Sequence, residues 1–300
     1  MLGFFLVIAA CALWAVDTLI RYPLMQTLGN SLVIVFYEHL LLSLVLLVIS
    51  VKSLSKFKQI KPKHLIYFLI VGGVGSAWAT VAFTKAFLFL NPSLVIILQK
   101  FQPVVAIALA SIVLGEKIQK IFILWATVCL GGALLISFED ILHIVNSEHS
   151  LRQLFFHQKA MQGYILVIFS IIGWGASTVF GKKLVSLGYT DEVILGGRFF
   201  TGLICLIPFC VGESTLFTHN VEIYGKISLM VLVSGLMAMY LYYQGLRRIP
   251  ARLCTLAEMF FPFMAVIVNW LFLDAILTPI QILGGIILML GSVIIQVKHY

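Results

Sequence analysis

The stretch Ser93-Leu-Val-Ile-Ile-Leu-Gln-Lys-Phe-Gln-Pro-Val-Val-Ala-Ile107 puts a charge and a helix breaker inside an apolar run long enough to cross a bilayer. Lys100 lies between Gln99 and Gln102, with Pro103 directly behind. An ammonium at the centre of a membrane helix costs about 2.5–3.5 kcal/mol on insertion scales, so such a group normally faces a bundle interior or a wet cavity. Pro103 has no N–H to offer the carbonyl of Gln99, four residues back. The same design recurs at a shift of 159 residues: Leu94 meets Leu253, Gln99 meets Glu258, Phe101 meets Phe260, Pro103 meets Pro262 and Ala106 meets Ala265.

Around this stretch the chain reads as membrane. Its 300 residues are 61% hydrophobic and 11% charged, where a soluble domain carries roughly a quarter charged residues. Apolar runs of spanning length fall near 2–21, 31–51, 65–89, 92–114, 120–138, 161–181, 190–212, 226–246, 249–273 and 277–297. Ten spans put both termini on one side. The loops on that side carry thirteen Lys and Arg, including the run Lys52, Lys56, Lys58, Lys61 and Lys63. The opposite loops and span ends carry four: Arg21, Arg152, Lys159 and Lys226. Basic loops stay in the cytoplasm, so both termini are expected there, in a multi-pass protein of the cell membrane. The net charge of +8 is a topology signal by this reading, and no nucleic-acid partner is expected. The start, Met1-Leu-Gly-Phe-Phe5, has no basic segment, so a cleaved signal peptide is not expected. The five cysteines lie inside apolar runs without metal-ligand spacing and read as packing residues.

Residues 12–42 align with 172–202 at a shift of 160. Trp14 meets Trp174, Thr18 meets Thr178, Leu24 meets Leu184, Val33 meets Val193 and Ile34 meets Ile194; near the ends of the halves Gly131 meets Gly291. Each half holds five spans, an odd number, so the second half enters the membrane upside down. The expected fold is an all-α polytopic membrane protein of ten transmembrane helices in two inverted five-helix repeats. Residues 1–138 form the first repeat, 139–160 an extracytoplasmic linker and 161–300 the second repeat. Residues 150–156 are a candidate surface-lying stretch of that linker. Inverted repeats with a site near the midplane recur in secondary transporters.

On these features the chain resembles the drug/metabolite transporter superfamily, in particular its ten-span EamA-type members. The resemblance rests on Ala12-Leu-Trp-Ala15 and Gly173-Trp-Gly175, on Gly197-Arg-Phe199, on Pro103 and Pro262, and on Leu114-Gly-Glu-Lys117. It covers nearly the whole chain. It implies a bundle with a central cavity that exports or imports small metabolites. One departure stands out: where span 7 carries Arg198, span 2 has Tyr37-Glu-His39, an acid at a position where many members carry Arg.

Six ionisable residues lie well within spans: Asp17, Glu38, Lys85, Lys100, Arg198 and Glu258. The depths suggest a Glu38–Lys100 pair on the outer side of a polar path and an Arg198–Glu258 pair on the inner side. Asp17 pairs either with Lys85 or, four residues along one helix face, with Arg21. Such pairs either grip a solute or fasten helices. Trp14, Trp78, Trp174, Tyr37, Tyr240, Tyr242 and Tyr243 are candidate walls of the site, with lipid-facing rings as the alternative and Tyr243 preferred. Gln99 neighbours Lys100, and Gln244 maps onto Lys85 in the repeat; both join the candidate binding set. Pro103 and Pro262 free one backbone carbonyl each beside a polar side chain, which is tolerated at depth only where protein or water satisfies it. They are candidate hinges or static kinks. Candidates for proton coupling are His39, because imidazole titrates near neutrality, and Glu38 and Glu258, because removal from water favours a carboxyl's uncharged form.

The glycine-rich Val71-Gly-Gly-Val-Gly-Ser76 lacks the Lys-Ser/Thr of a phosphate loop and reads as close helix packing. No metal pattern, cofactor motif or triad spacing is present. The expectation is therefore a transporter and not an enzyme, working without cofactor as a monomer or homodimer. Both charge signs in the path favour an amino acid or another zwitterion as substrate, with protons as a candidate coupling ion. The alternatives are a carrier of nucleoside-containing metabolites and an intramembrane enzyme acting on a lipid carrier.

Overall fold

A computed structural model describes residues 1–49, 51, 54–90, 92–147, 158–213, 216, 220–272 and 278–298. The spanning helices are α1 (Leu2–Leu28), α2 (Ser31–Ile49), α3 (Pro62–Ala86), α4 (Leu94–Leu114), α5 (Lys120–Ile136), α6 (Gln158–Ser186), α7 (Asp191–Cys210), α8 (Val221–Arg248), α9 (Ala251–Phe272) and α10 (Pro279–Lys298). A short helix, Phe138–Ser147, follows α5. Residues 150–156 lie outside the described residues. The protein is an all-α polytopic membrane protein built from two inverted five-helix repeats. Large apolar side chains such as Val48, Ile112, Ile204 and Phe209 are exposed on its outer surface. Lipid is their natural neighbour.

Helix neighbours exchange as the repeat demands. In one half α1 packs on α8 and α9; in the other α6 packs on α3 and α4. Likewise α2 meets α8, and α7 meets α3. The remaining equivalent pair, α5 and α10, packs against itself across the two halves. A Cβ on Gly132 would lie 2.8 Å from the carbonyl oxygen of Gly284, and a Cβ on Gly284 would lie 2.7 Å from that of Gly132. Only glycine lets these two backbones touch. Gly29 after α1 (φ 63°) and Gly188 after α6 (φ 88°) turn the chain in the left-handed region at equivalent places, where glycine carries no Cβ penalty.

Two further features are duplicated. Helices α3 and α8 widen to π-helical turns over Leu69–Trp78 and Val231–Ala238, which the 160-residue shift nearly superposes. Helices α4 and α9 break. Helix α4, whose first helical turn begins ahead of the span at Pro92, divides into Pro92–Gln99 and Gln102–Leu114; α9 divides into Ala251–Glu258 and Phe261–Phe272. At each break the backbone tightens to bonds three residues apart. Phe101 N–H donates to Leu98 O at 3.1 Å, and Phe260 N–H to Ala257 O at 3.1 Å. Pro103 and Pro262 withdraw the donors that a continuous helix would need.

Several boundaries differ from expectation: α6 runs on to Ser186, α8 starts at Val221, and α1 shows the largest difference. Helix α1 runs to Leu28 rather than ending near residue 21, so Arg21 is buried inside a span instead of marking its outer end. Carboxylates on its own and the neighbouring helix make that depth tolerable.

Candidate functional site

The two repeats enclose a cavity of about 260 Å³, walled by α1–α4 of the first half and α6–α9 of the second. Its wall follows the helical face rule. Trp14 brings Asp17, Thr18 and Arg21 at spacings of three, four and seven; the equivalent Trp174 brings Ser177 and Thr178. Phe83, Phe87, Phe199, Tyr242 and Phe261 complete much of the aromatic surface. The Phe83 and Trp174 rings lie 4.8 Å apart, and those of Trp14 and Tyr242 5.5 Å apart.

The charges form two groups. In the first, Arg21 forks between two carboxylates. Its Nε donates to Asp17 Oδ2 at 2.6 Å, and its Nη2 to Glu38 Oε1 at 3.0 Å and Asp17 Oδ1 at 3.2 Å. Nη1 reaches Glu38 Oε2 at 3.2 Å. Ser234, held in the π-turn of α8, donates to Asp17 at 2.6 Å. All three ions are at most 8% exposed.

In the second group the ions have neutral partners. Arg198 donates to the hydroxyls of Ser76 (3.1 Å), Ser177 (3.0 Å) and Tyr243 (3.3 Å). Glu258 accepts from Gln102 (2.7 Å), Tyr242 (3.0 Å) and Thr178 (3.2 Å). Two adjacent dipeptides, Ser177-Thr178 and Tyr242-Tyr243, thus divide their hydroxyls between the base and the acid. His39 extends the Arg198 side: its Nδ1 lies 2.8 Å from Val35 O and its Nε2 3.1 Å from Ser76 Oγ. The Lys100 ammonium donates to Ala133 O at 2.8 Å and to the Ser137 hydroxyl.

Most expected site residues meet at this cavity: Trp14, Asp17, Glu38, His39, Gln99, Lys100, Pro103, Trp174, Arg198, Glu258 and Pro262 all line it. Their pairing differs from expectation. Glu38 is joined to Arg21 rather than to Lys100, because Arg21 lies one helix away at the same depth. Of the two partners expected for Asp17, the structure gives Arg21 and not Lys85. Arg198 and Glu258 do not touch; hydroxyls stand between them. Several candidates lie off the wall. Lys85 is exposed at the end of α3. Gln244 donates to Asp191 and, through its own Oε1, accepts from Arg248 at 2.7 Å. Tyr37 donates to the Leu216 carbonyl near the start of α8. Tyr243 is fully buried behind Arg198.

Sequence reasoning missed Ser76, Gln102, Ser177, Thr178 and Ser234; it weighed Arg21 only as a partner for Asp17 and Tyr242 only as one of several span aromatics, behind Tyr243. The periodicity from Trp174 would have found Ser177 and Thr178. Ser76 was hidden in a glycine-rich run that reads as packing. Mapping Gln244 onto Lys85 pointed away from Tyr242, since neither residue faces the cavity.

Away from the cavity, polar contacts cross-link the helices at the end of the bundle that holds the start of α1. Glu116 accepts from the backbone N–H of Ala251 (2.7 Å) and Arg252 (3.1 Å), capping α9 across the repeats. Lys182 donates to the carbonyls of Leu246 and Ile249, each at 2.7 Å. Asp191 holds Arg247 and Gln244. None of these residues lines the cavity.

Comparisons with known proteins agree with this architecture. The riboflavin transporter ImpX of Fusobacterium nucleatum is 28% identical over 300 residues, covering 97% of this chain and 96% of that protein. A solved crystal structure, at 14% identity, superposes with a TM-score of 0.73 over 99% of this chain and 97% of its own, which speaks to the fold alone. The model of the EamA-like transporter family matches residues 1–138 and 161–297, nearly the full length and both halves, so the chain belongs to that family.

Proposed function

We propose that this transporter is a secondary carrier for a planar, polar heteroaromatic metabolite of the riboflavin kind, moved by alternating access between its two repeats. The observation that carries the reading is the cavity between the repeats, with aromatic walls around a polar network whose charges largely satisfy one another. Stacked rings suit a flat ring system. A volume of about 260 Å³ lies just below the roughly 300–1,000 Å³ usual for small-molecule sites, which suits a small metabolite rather than a lipid or peptide. The substrate named for the relative is of this class. In this reading residues 1–138 and 161–300 are the moving units, 139–160 links them outside, and both termini lie in the cytoplasm. The ties made by Glu116, Lys182 and Asp191 then close the cytoplasmic side. Pro103 and Pro262 allow bending where α4 and α9 already lack continuous hydrogen bonding. Glu258 is the proposed proton carrier: it faces the cavity and its partners are neutral, so a change in its charge breaks no ion pair.

A second reading, an amino acid or other zwitterion, is favoured by one observation: Arg198 and Glu258 present opposite charges with only neutral partners on one cavity wall. An intramembrane enzyme is disfavoured, because the cavity's other ions are largely consumed by mutual pairing. Counterflow in proteoliposomes separates the readings. Preloaded unlabelled riboflavin is expected to drive accumulation of labelled riboflavin, with amino acids failing to compete. Accumulation driven by amino acids, with riboflavin silent, sinks the flavin reading. Wild-type uptake that responds to an imposed proton gradient, lost in Glu258→Gln, supports the coupling role.

A further inference from the structure

We infer that Gln99 reads the substrate, its amide forming paired hydrogen bonds with the adjacent C=O and N–H of a heterocyclic lactam or imide. This rests on the heteroaromatic reading above and names the chemical edge that the site selects.

Hydrogen-bond accounting along the cavity wall singles this residue out. Asp17, Arg21 and Glu38 satisfy one another, and His39, Ser76 and Arg198 form a chain. Gln99 also lines the cavity. Its Oε1 is buried, turned away from the open space, and, among the described residues, has no hydrogen-bond partner, so the amide gains by swinging that oxygen to a donor on the substrate. A buried amide oxygen without a donor is a standing penalty that calls for a reason. The repeat sharpens the contrast. Gln99 ends the first half of α4 just as Glu258 ends the first half of α9. Glu258 receives donors from Gln102, Thr178 and Tyr242. Its mate has none.

The surroundings supply the rest of a recognition site. Helix α6, which carries Trp174, packs on the half-helix that ends in Gln99. Trp174 and Phe83 make an aromatic wall on the same cavity. A planar ring lying on that wall presents its edge, not its face, to neighbouring polar groups. A glutamine amide carries an acceptor and a donor side by side in one plane, the complement of an N–H next to a carbonyl. Glutamine pairs with adenine in the same bidentate way. A lone hydroxyl or carboxylate on the ligand would leave half of the amide unused.

The experiment is a binding titration on purified full-length protein, using riboflavin and riboflavin methylated at its imide nitrogen. The wild type is expected to bind the N–H form about tenfold or more tightly than the methylated form, the ratio that one buried hydrogen bond makes. Q99L is expected to bind the two forms equally, because the discriminating acceptor is gone. Should Q99L fail to fold, the near-isosteric Gln99→Met carries the same expectation and keeps the assignment testable. Equal binding of both forms by the wild type, or discrimination retained in Q99L, overturns the assignment while the flavin reading stands. Failure of the wild type to bind riboflavin, uracil or xanthine overturns both.

Discussion

Removing Arg21 should damage this protein more than removing any other cation of the cavity. The guanidinium donates to four carboxylate oxygens on two helices. With Arg21→Met, among the described residues Asp17 keeps only Ser234, and Glu38 loses both of its hydrogen bonds, each of which comes from Arg21. Breaking a buried ion pair by deleting one partner typically costs about 3–5 kcal/mol, since the other charge stays behind unpaired. Two carboxylates are stranded here, so R21M should lie at the upper end of that range. Arg21→Met with Glu38→Leu removes one stranded charge and should recover a large part of the loss. The assay is a double-mutant cycle on stability in detergent, read as tryptophan fluorescence during unfolding. Residues in direct contact couple, whereas independent sites add to within about 0.3–0.5 kcal/mol. The cycle for Arg21 and Glu38 should give a coupling above about 1.5 kcal/mol, and that for Glu38 and Lys100 should give nearly none. Stability of R21M near wild type would refute the reasoning. So would rescue of Glu38→Lys by Lys100→Glu, which would mean that the acid's real partner is Lys100.

Other consequences follow from single contacts. A valine at Gly132 would press a Cβ onto the Gly284 carbonyl, 2.8 Å away; neither backbone can yield, so G132V should lose the α5–α10 contact and elute as aggregate in size-exclusion chromatography. Glu116→Gln weakens the charged cap on α9; losing a cap is worth about 0.5–2 kcal/mol, so if these contacts close the cytoplasmic side as proposed, that side should open several-fold more often. In a variant that keeps only the buried Cys254, maleimide labelling in inside-out vesicles should then speed up several-fold, and an unchanged rate would remove Glu116 from the closing contacts. Ser177→Ala removes one hydroxyl from Arg198 and Thr178→Val one from Glu258; if the two ions are separate elements of the site, only the Glu258-side change should alter the response of uptake to a proton gradient.

How much of this was legible beforehand follows from what each signal encodes. Hydropathy and the 159–160 residue shift depend on composition and order alone. They fixed the spans and the inversion, and they marked Gln99, Lys100, Pro103, Glu258 and Pro262 as the faults in otherwise apolar helices. The breaks in α4 and α9 appeared where proline withdraws a donor. Partner choice was not legible. Arg21 was read as a span end because a guanidinium at depth is costly in isolation. Only the approach of α2 brings Glu38 to it and makes the depth tolerable. Tyr242 and Tyr243 are equivalent in composition, and a rotation of about 100° between neighbours on a helix decides which one lines the cavity.

By itself, then, the order of residues determined that this chain crosses the membrane as two opposed copies and which turns of which helices carry charge. Local periodicity and the missing proline N–H are properties of short segments, so a linear reading captures them. Which acid meets which base, which hydroxyls divide the two unpaired ions, and which amide is left without a donor were decided only by the tertiary structure. Each depends on the relative rotation and depth of helices far apart in sequence, set by glycine contacts and π-turns that no single segment specifies.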